Sequence, residues 1–261
     1  MTLARYHAHP AISRSKLWWA HDSPAKFKFF CENPPPQTPE MLIGAAWHKM
    51  VLEPETFLTE YVPMPPGIGK NTIQGRAIAD AAREAGKNSL ASADYDLICG
   101  MTQSILANRT ARYFIDEGAK EQSIFWTDEE TGEAVKCRPD IFIANDDMHI
   151  ICDLKSCASA ETDDFTRACI NYGYAMQAAM YIEGVQTVAP GEYSFLFFAV
   201  EKKPPFSVNI LQMDQAMIDY GRIQYHELLE TVHKCKETGN WYGMNGENNT
   251  INKILLPAWV H

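Results

Sequence analysis

Through the first half of the chain, apolar positions recur at helical spacing. Ser13 to about Phe30 reads as helix, with Ser13 or Ser15 as N-cap and a break near Asp22-Ser23-Pro24. Pro39 to about Leu52 reads as a strong helix ended by Glu53-Pro54, and Gln74–Ala85 and Ser92–Asp116 follow as further helices. Pro-rich stretches at 33–40 and 63–71 separate them, because proline fixes φ and removes a donor. Then the period shortens. Gln122–Thr127, Ala134–Ala144 and His149–Leu154 are rich in Ile, Val and Phe and are parted by turn residues, which predicts a three-stranded antiparallel meander. A helix over Asp163–Glu183, bent near Asn171–Gly173, is followed by strands at Tyr193–Glu201 and Phe206–Gln212 and a long helix over Asp214–Glu237. The expected architecture is mixed α/β in one domain, with a mostly helical portion over 1–118 and an α/β core over 119–261.

Composition bounds this picture without changing it. The chain has 261 residues, of which 46% are apolar and 21% charged, enough to fill a core and too evenly mixed for disorder. No run approaches the roughly eighteen apolar residues of a membrane span. The opening segment has no apolar stretch before a small-residue cleavage site, so a cytoplasmic protein is expected. Seven cysteines, an odd number without a CxxC, speak against a disulfide framework and a zinc ribbon. The net charge of −10 argues at first against nucleic acid, but it is uneven: residues 1–90 carry +2 and residues 91–261 carry −12. A basic groove can persist in such a chain, because the field in a cleft is set by nearby charges.

The candidate chemistry lies in Cys137-Arg138-Pro139-Asp140 and Ile150-Ile151-Cys152-Asp153-Leu154-Lys155-Ser156. Asp140 is expected within the second strand of the meander, and Asp153 near the end of the third. Residues i and i+2 of a strand share a face, so the Asp153 carboxylate and the Lys155 ammonium belong to one site, and strand pairing brings Asp140 beside them. An Asp at a strand end, taken alone, is usually a turn residue or a cap. The lysine two residues on and the Pro-Asp before it turn the balance. Two convergent carboxylates suit a hard cation such as Mg²⁺ or Mn²⁺ that activates a phosphodiester and a water, with a lysine to orient that water.

Pro139-Asp140 followed by Asp153-Leu154-Lys155 resembles the PD-(D/E)xK nuclease pattern. Gly44-Ala45-Ala46-Trp47-His48 is similar to the Gly-x-x-x-His motif of that superfamily's RecB-like branch, whose histidine ligates metal. Met176-Gln177-Ala178-Ala179-Met180-Tyr181 is similar to its Gln-x-x-x-Tyr motif, and Glu121 stands where relatives often hold an acidic residue. The opening segment and LIGAAWHKMVLEPETF resemble the RecE-type exonucleases in particular. The resemblance implies a PD-(D/E)xK core of a mixed sheet flanked by helices. It implies metal ligation by His48, Asp140, Asp153 and the Leu154 carbonyl, and a catalytic set of Asp140, Asp153 and Lys155 supported by Glu121, Gln177 and Tyr181. It further implies 5′→3′ digestion of one strand of linear double-stranded DNA to 5′ mononucleotides, a closed homotetrameric ring, and a single-strand annealing partner that takes the 3′ overhang.

Other residues have milder readings. His48 falls on an apolar helix face, where a lone histidine is ordinarily a core residue, and Gln177 and Tyr181 at i and i+4 would otherwise be helix packing. Ser13, Arg14 and Ser15 at a helix start suit a terminal 5′ phosphate, and Lys16 and Lys49 suit a duplex groove. A solvated amphipathic helix accounts for them equally well. Trp18 and Trp19 are placed to stack on bases but at this aromatic density read as core. Three other functions stay open: a structure-specific or restriction-like endonuclease, a catalytically inactive DNA-binding module, and a small-molecule metallohydrolase of another fold.

Overall fold

The computed structural model describes residues 1 and 3–255. Its first half is helical and opens with α1 (Leu3–Ala8), a short strand β1 (Ile12–Ser13), α2 (Arg14–Asp22) and α3 (Pro24–Glu32). Ser13 and Ser23 cap α2 and α3, accepting the backbone N–H of Lys16 and of Lys26. The helix α4 (Pro39–Leu52) starts under the Thr38 cap, with proline at its first position, and stops before Pro54. After it come α5 (Phe57–Glu60), β2 (Tyr61–Pro63), α6 (Ile73–Glu84) and β3 (Asn88–Leu90), with β2 and β3 paired in parallel.

The expected helix over 92–116 is two helices, α7 (Ser92–Ala107) and α8 (Arg109–Glu117). Asn108 parts them. Its side chain accepts the N–H groups of Thr110 and Ala111, so capping a new helix replaces continuing the old one.

The expected three-stranded meander is also corrected. After β4 (Ala119–Lys120) and β5 (Ile124–Thr127), the run 134–144 divides into β6 (Ala134–Cys137) and β7 (Ile141–Asn145). These lie in different sheets. The first sheet has the order β1-β6-β5; β7 leads into a second sheet. Asp140 is therefore at a crossing between sheets rather than within a strand. Pro139 lacks the N–H that a continuous strand would need there.

The second sheet continues through β8 (Met148–Cys157), β9 (Ser194–Glu201) and β10 (Val208–Gln212), in the order β10-β9-β8-β7-β4. Only β8 and β9 run parallel in it, joined by α9 (Thr162–Asn171) and α10 (Tyr174–Gln186); the last helix is α11 (Gln215–Thr238). Strand alternation sorts the side chains into layers. Cys152, Leu154, Leu196, Phe198 and Val200 face a core with Trp47, Ile98, Met101 and Phe114 from the N-terminal helices. Ile151, Phe195, Phe197 and Ala199 face the opposite core with Phe165, Ala178, Ala179 and Ile182 of α9 and α10. A third cluster joins Leu17 and Phe27 to Tyr225, Leu229 and Val232 of α11. No helix among the described residues is long and apolar enough to cross a membrane.

Candidate active site

The site exists because β8 outruns its neighbour. In register, β7 begins at Ile141 opposite Cys152, whereas β9 accompanies β8 to Cys157. Asp153 is thus mid-strand rather than at the strand end expected, and from Asp153 onward one edge of β8 lacks a ladder partner in β7. Continuing the register would set Pro139 opposite Leu154, and proline has no N–H to offer. The Asp140 carboxylate fills part of this gap, accepting the Leu154 N–H at 2.7 Å. The N–H and C=O of one strand residue leave on the same edge, so the Leu154 carbonyl faces the same gap.

Three other elements converge here. From α4, His48 Nδ1 lies 3.3 Å from Asp140 Oδ1. From the turn after β4, Glu121 donates its N–H to the Asp140 carbonyl at 3.1 Å, in a left-handed conformation (φ 53°) that a non-glycine residue adopts at some cost. Its carboxylate accepts Arg138 Nε, and Arg138 also donates to Ser123 Oγ at 2.6 Å. Donor atoms of His48, Glu121 and Asp140 all lie within 4.8 Å of one another.

Asp153 and Lys155 form an ion pair on the sheet face toward α10, as the i, i+2 spacing requires. Gln177 spans it: its Nε2 donates to Asp153, and its Oε1 accepts Lys155 Nζ at 3.2 Å. Asp153 is 2% exposed, Asp140 7% and Gln177 5%, so charge here is held by partners instead of water.

The electrostatics couple three carboxylates to Lys155, Arg138 and His48. Burial pushes the Asp153 carboxyl up and Asp140 adds to it, while Lys155 pulls it down without cancelling the rise. Glu121 is likewise raised by burial and by Asp140, against Arg138. Burial would raise Asp140 too, but His48, Lys155 and the Leu154 N–H hold it below the usual carboxylate range. For His48, burial acts downward and is outweighed by Asp140, which lifts the imidazole to about 9. Oxygen donors with one imidazole, crowded within ligand distance, fit a divalent cation such as Mg²⁺ or Mn²⁺ that would take the place of the His48 proton.

The site forms one wall of a cavity of about 830 Å³, lined by His48, Glu121, Asp140, Gln177 and Tyr181 on that side and by Arg5, His7, Ser13, Arg14, Lys49 and Arg138 among others elsewhere. Asp153 and Lys155 sit just behind this wall. Ser13, Arg14 and Ser15 lie where α2 begins, on the lining; Lys16 does not line the cavity. Arg14 donates from one terminal nitrogen to the Tyr172 carbonyl, and its Nε is enclosed with no hydrogen-bond partner. Lys49 is not a free cation: its ammonium is paired with Glu53 and Glu60, each at 2.7 Å. Trp18 is half-buried, stacked on His21 and packed over Gly173. Arg138, which the sequence places in the Cys137–Asp140 run without a role, holds Glu121 in place; its position directly before Pro139-Asp140 was the available signal.

The family profile of a PDDEXK-like domain of unknown function (DUF3799) matches residues 21–253. Among curated proteins none matches. A solved structure from Eubacterium rectale, described as a candidate exonuclease, shares 15% identity and superposes with a TM-score of 0.67 over 98% of this chain and 95% of that one. At that identity the likeness speaks to the fold. A second solved structure, SSO0001, covers 77% of this chain and 92% of its own at 13% identity and a TM-score of 0.30, too low to weigh. The fold is that of the PD-(D/E)xK nucleases, and with nearly its whole length matched the chain belongs to the PDDEXK-like family just described.

Proposed function

We propose that the protein is a metal-dependent exonuclease that degrades one strand of linear double-stranded DNA in the 5′→3′ direction to 5′ mononucleotides, leaving 3′ overhangs for recombination. One observation carries the nuclease part. His48, Glu121 and Asp140 gather against the unpaired edge of β8 beside the Asp153–Lys155 pair, on the wall of a cavity with several cationic side chains. When bound, Mg²⁺ or Mn²⁺ supplies Lewis acidity toward the phosphodiester and offsets its charge. His48, Asp140, Asp153 and the Leu154 carbonyl would hold the ion, with Glu121 as a further donor. Lys155 orients the attacking water and faces charge growing on the phosphoryl oxygens. Gln177 keeps Lys155 and Asp153 in register, and Tyr181 closes the wall beneath it.

At the start of α2, Ser13, Arg14 and Ser15 on the cavity lining suit a terminal 5′ phosphate, with Lys16 close behind. Lys49 contributes to DNA only once it is released from Glu53 and Glu60. Polarity, a ring of four copies, a single-strand annealing partner and a cytoplasmic setting rest on the likeness to RecE-type exonucleases. In this reading residues 1–261 work as one nuclease domain.

The test is digestion of linear duplexes labelled at the 5′ or the 3′ end, against a closed circle, with and without Mg²⁺ or Mn²⁺. Early release of the 5′ label with the circle intact is expected. A nicked circle would point to an endonuclease. Asp140→Asn and Asp153→Asn should each abolish digestion while leaving the circular dichroism spectrum unchanged, and a fully active Asp153→Asn protein would refute the assignment.

A further inference from the structure

Lys155 is held by more than its polar partners. Its ammonium lies 4.7 Å from the centroid of the Tyr174 ring and 5.9 Å from that of Phe197. Tyr174 is the first residue of α10, directly after the bend that parts α9 from α10. Gly173 makes that bend, in the left-handed region at φ 65° with the Trp18 ring packed against its Cα; a Cβ there would stand 2.4 Å from the ring. The turn so fixed delivers Tyr174 toward the sheet face that carries Asp153 and Lys155. Its ring is braced by Phe165 at 6.0 Å and Phe197 at 5.7 Å.

We propose that Tyr174 is a positioning residue for Lys155, its ring face fixing the ammonium beside Asp153 and Gln177 on the sheet face toward α10. This rests on the nuclease reading for its consequence. The physical basis is general: a cation over an aromatic face in a desolvated site is attracted by the ring quadrupole. The hydroxyl is not needed for this, whereas the electron-rich face is. The same ring lies 5.9 Å from the Arg14 guanidinium, so one side chain borders both the catalytic lysine and the α2 start.

Four proteins test it: wild type, Tyr174→Phe, Tyr174→Leu, and a form with trifluorophenylalanine at position 174, which keeps the ring's shape and withdraws its electron density. Two quantities are read. One is the single-turnover rate and KM on a linear duplex; the other is the rate at which Lys155 is acylated by an amine-reactive ester, followed by mass spectrometry. Phenylalanine should restore most of the wild-type behaviour. Leucine and the fluorinated ring should each lower the turnover rate about tenfold with KM little changed, and should alter Lys155 acylation several-fold. If leucine unfolds the protein, the fluorinated ring still decides. A fluorinated or leucine protein with wild-type rate and acylation overturns the proposal, as does a rate loss with Lys155 acylation unmoved. Should the wild type digest no DNA at all, the nuclease reading fails, while the acylation comparison still tells whether Tyr174 holds Lys155.

Discussion

Lys136, on β6, is 1% exposed beneath the N-terminal segment. Its ammonium donates to the Tyr6 carbonyl and, at 2.8 Å, to the His9 carbonyl, and it sits 4.5 Å from the Tyr6 ring centroid. Burial, with Lys16 nearby, lowers its pKa from 10.5 to about 8. The protonated form is the one disfavoured in the fold, so its penalty is complete below about pH 8 and fades as pH rises toward 10.5. Wild type should therefore gain thermal stability relative to Lys136→Met across that window, with a flat difference below it. A difference that shrinks over the same interval would reverse the sign and reject the account. A second residue-scale expectation concerns Arg138. Arg138→Gln releases the Glu121 carboxylate, and calorimetric titration with Mn²⁺ should show affinity falling by about tenfold or more. Neither residue stands out in the sequence. Lys136 reads as the polar half of an alternating strand, and its enclosure by α1 comes from a part of the chain far away in number.

At the scale of elements, the helix bounds were legible where a cap or a proline marks them. Thr38 and Pro39 open α4, Pro54 follows its end, and Asp214 opens α11 by accepting the Met217 N–H. They were hidden where apolar periodicity runs on across a break. Asn108 lies inside an unbroken helical pattern, and only its choice between solvent and capping divides α7 from α8. Asn108→Ala should cost about 1 kcal/mol in a denaturant melt. Pro139 lies inside what reads as one apolar run, and the chain changes sheets there because neither sheet can extend through it. The α10–α11 contact carries a sharper test. A Cβ on Gly221 would stand 2.0 Å from the Ala175 carbonyl oxygen, backbone that cannot swing aside. Alanine at an interior helix position ordinarily gains about 1 kcal/mol over glycine. Here overpacking wins, and Gly221→Ala should destabilise the protein by about 2 kcal/mol net.

For the whole molecule, the net charge of −10 does not carry into the cavity, whose charged lining is balanced. Arg5, Arg14, Lys49 and Arg138 face it alongside Glu53, Glu60, Glu121 and Asp140, while other acidic residues such as Asp163, Asp164, Glu230 and Glu237 lie on outer helical surfaces. Composition averages the two and so obscures both. In the proposed ring, light scattering should give a multiple of the 29.4 kDa chain mass, and DNA affinity should fall steeply with salt as phosphate contacts release counterions. A monomer that still digests ends would remove the ring and leave the site. The PD-Asp-x-Lys core was legible because its residues are close in number; the His48–Glu121 approach depends on α4 and β4 folding onto one sheet end, which no local pattern encodes.

The crossing at Arg138–Asp140 stitches together two sheets that share one core, where Ile124 and Cys137 of the first meet Ile151 and Phe195 of the second. Neither alone can assemble a working centre, since His48 arrives from α4 and Gln177 from α10, the helix between β8 and β9. On dilution from denaturant, helical signal should therefore recover first and DNA cleavage last, making hydrolysis a late-arriving clock for complete assembly. By the same logic, a shortened chain starting at position 119 would look half built and cut nothing, because the helices ahead of it are part of the blade as well as the handle.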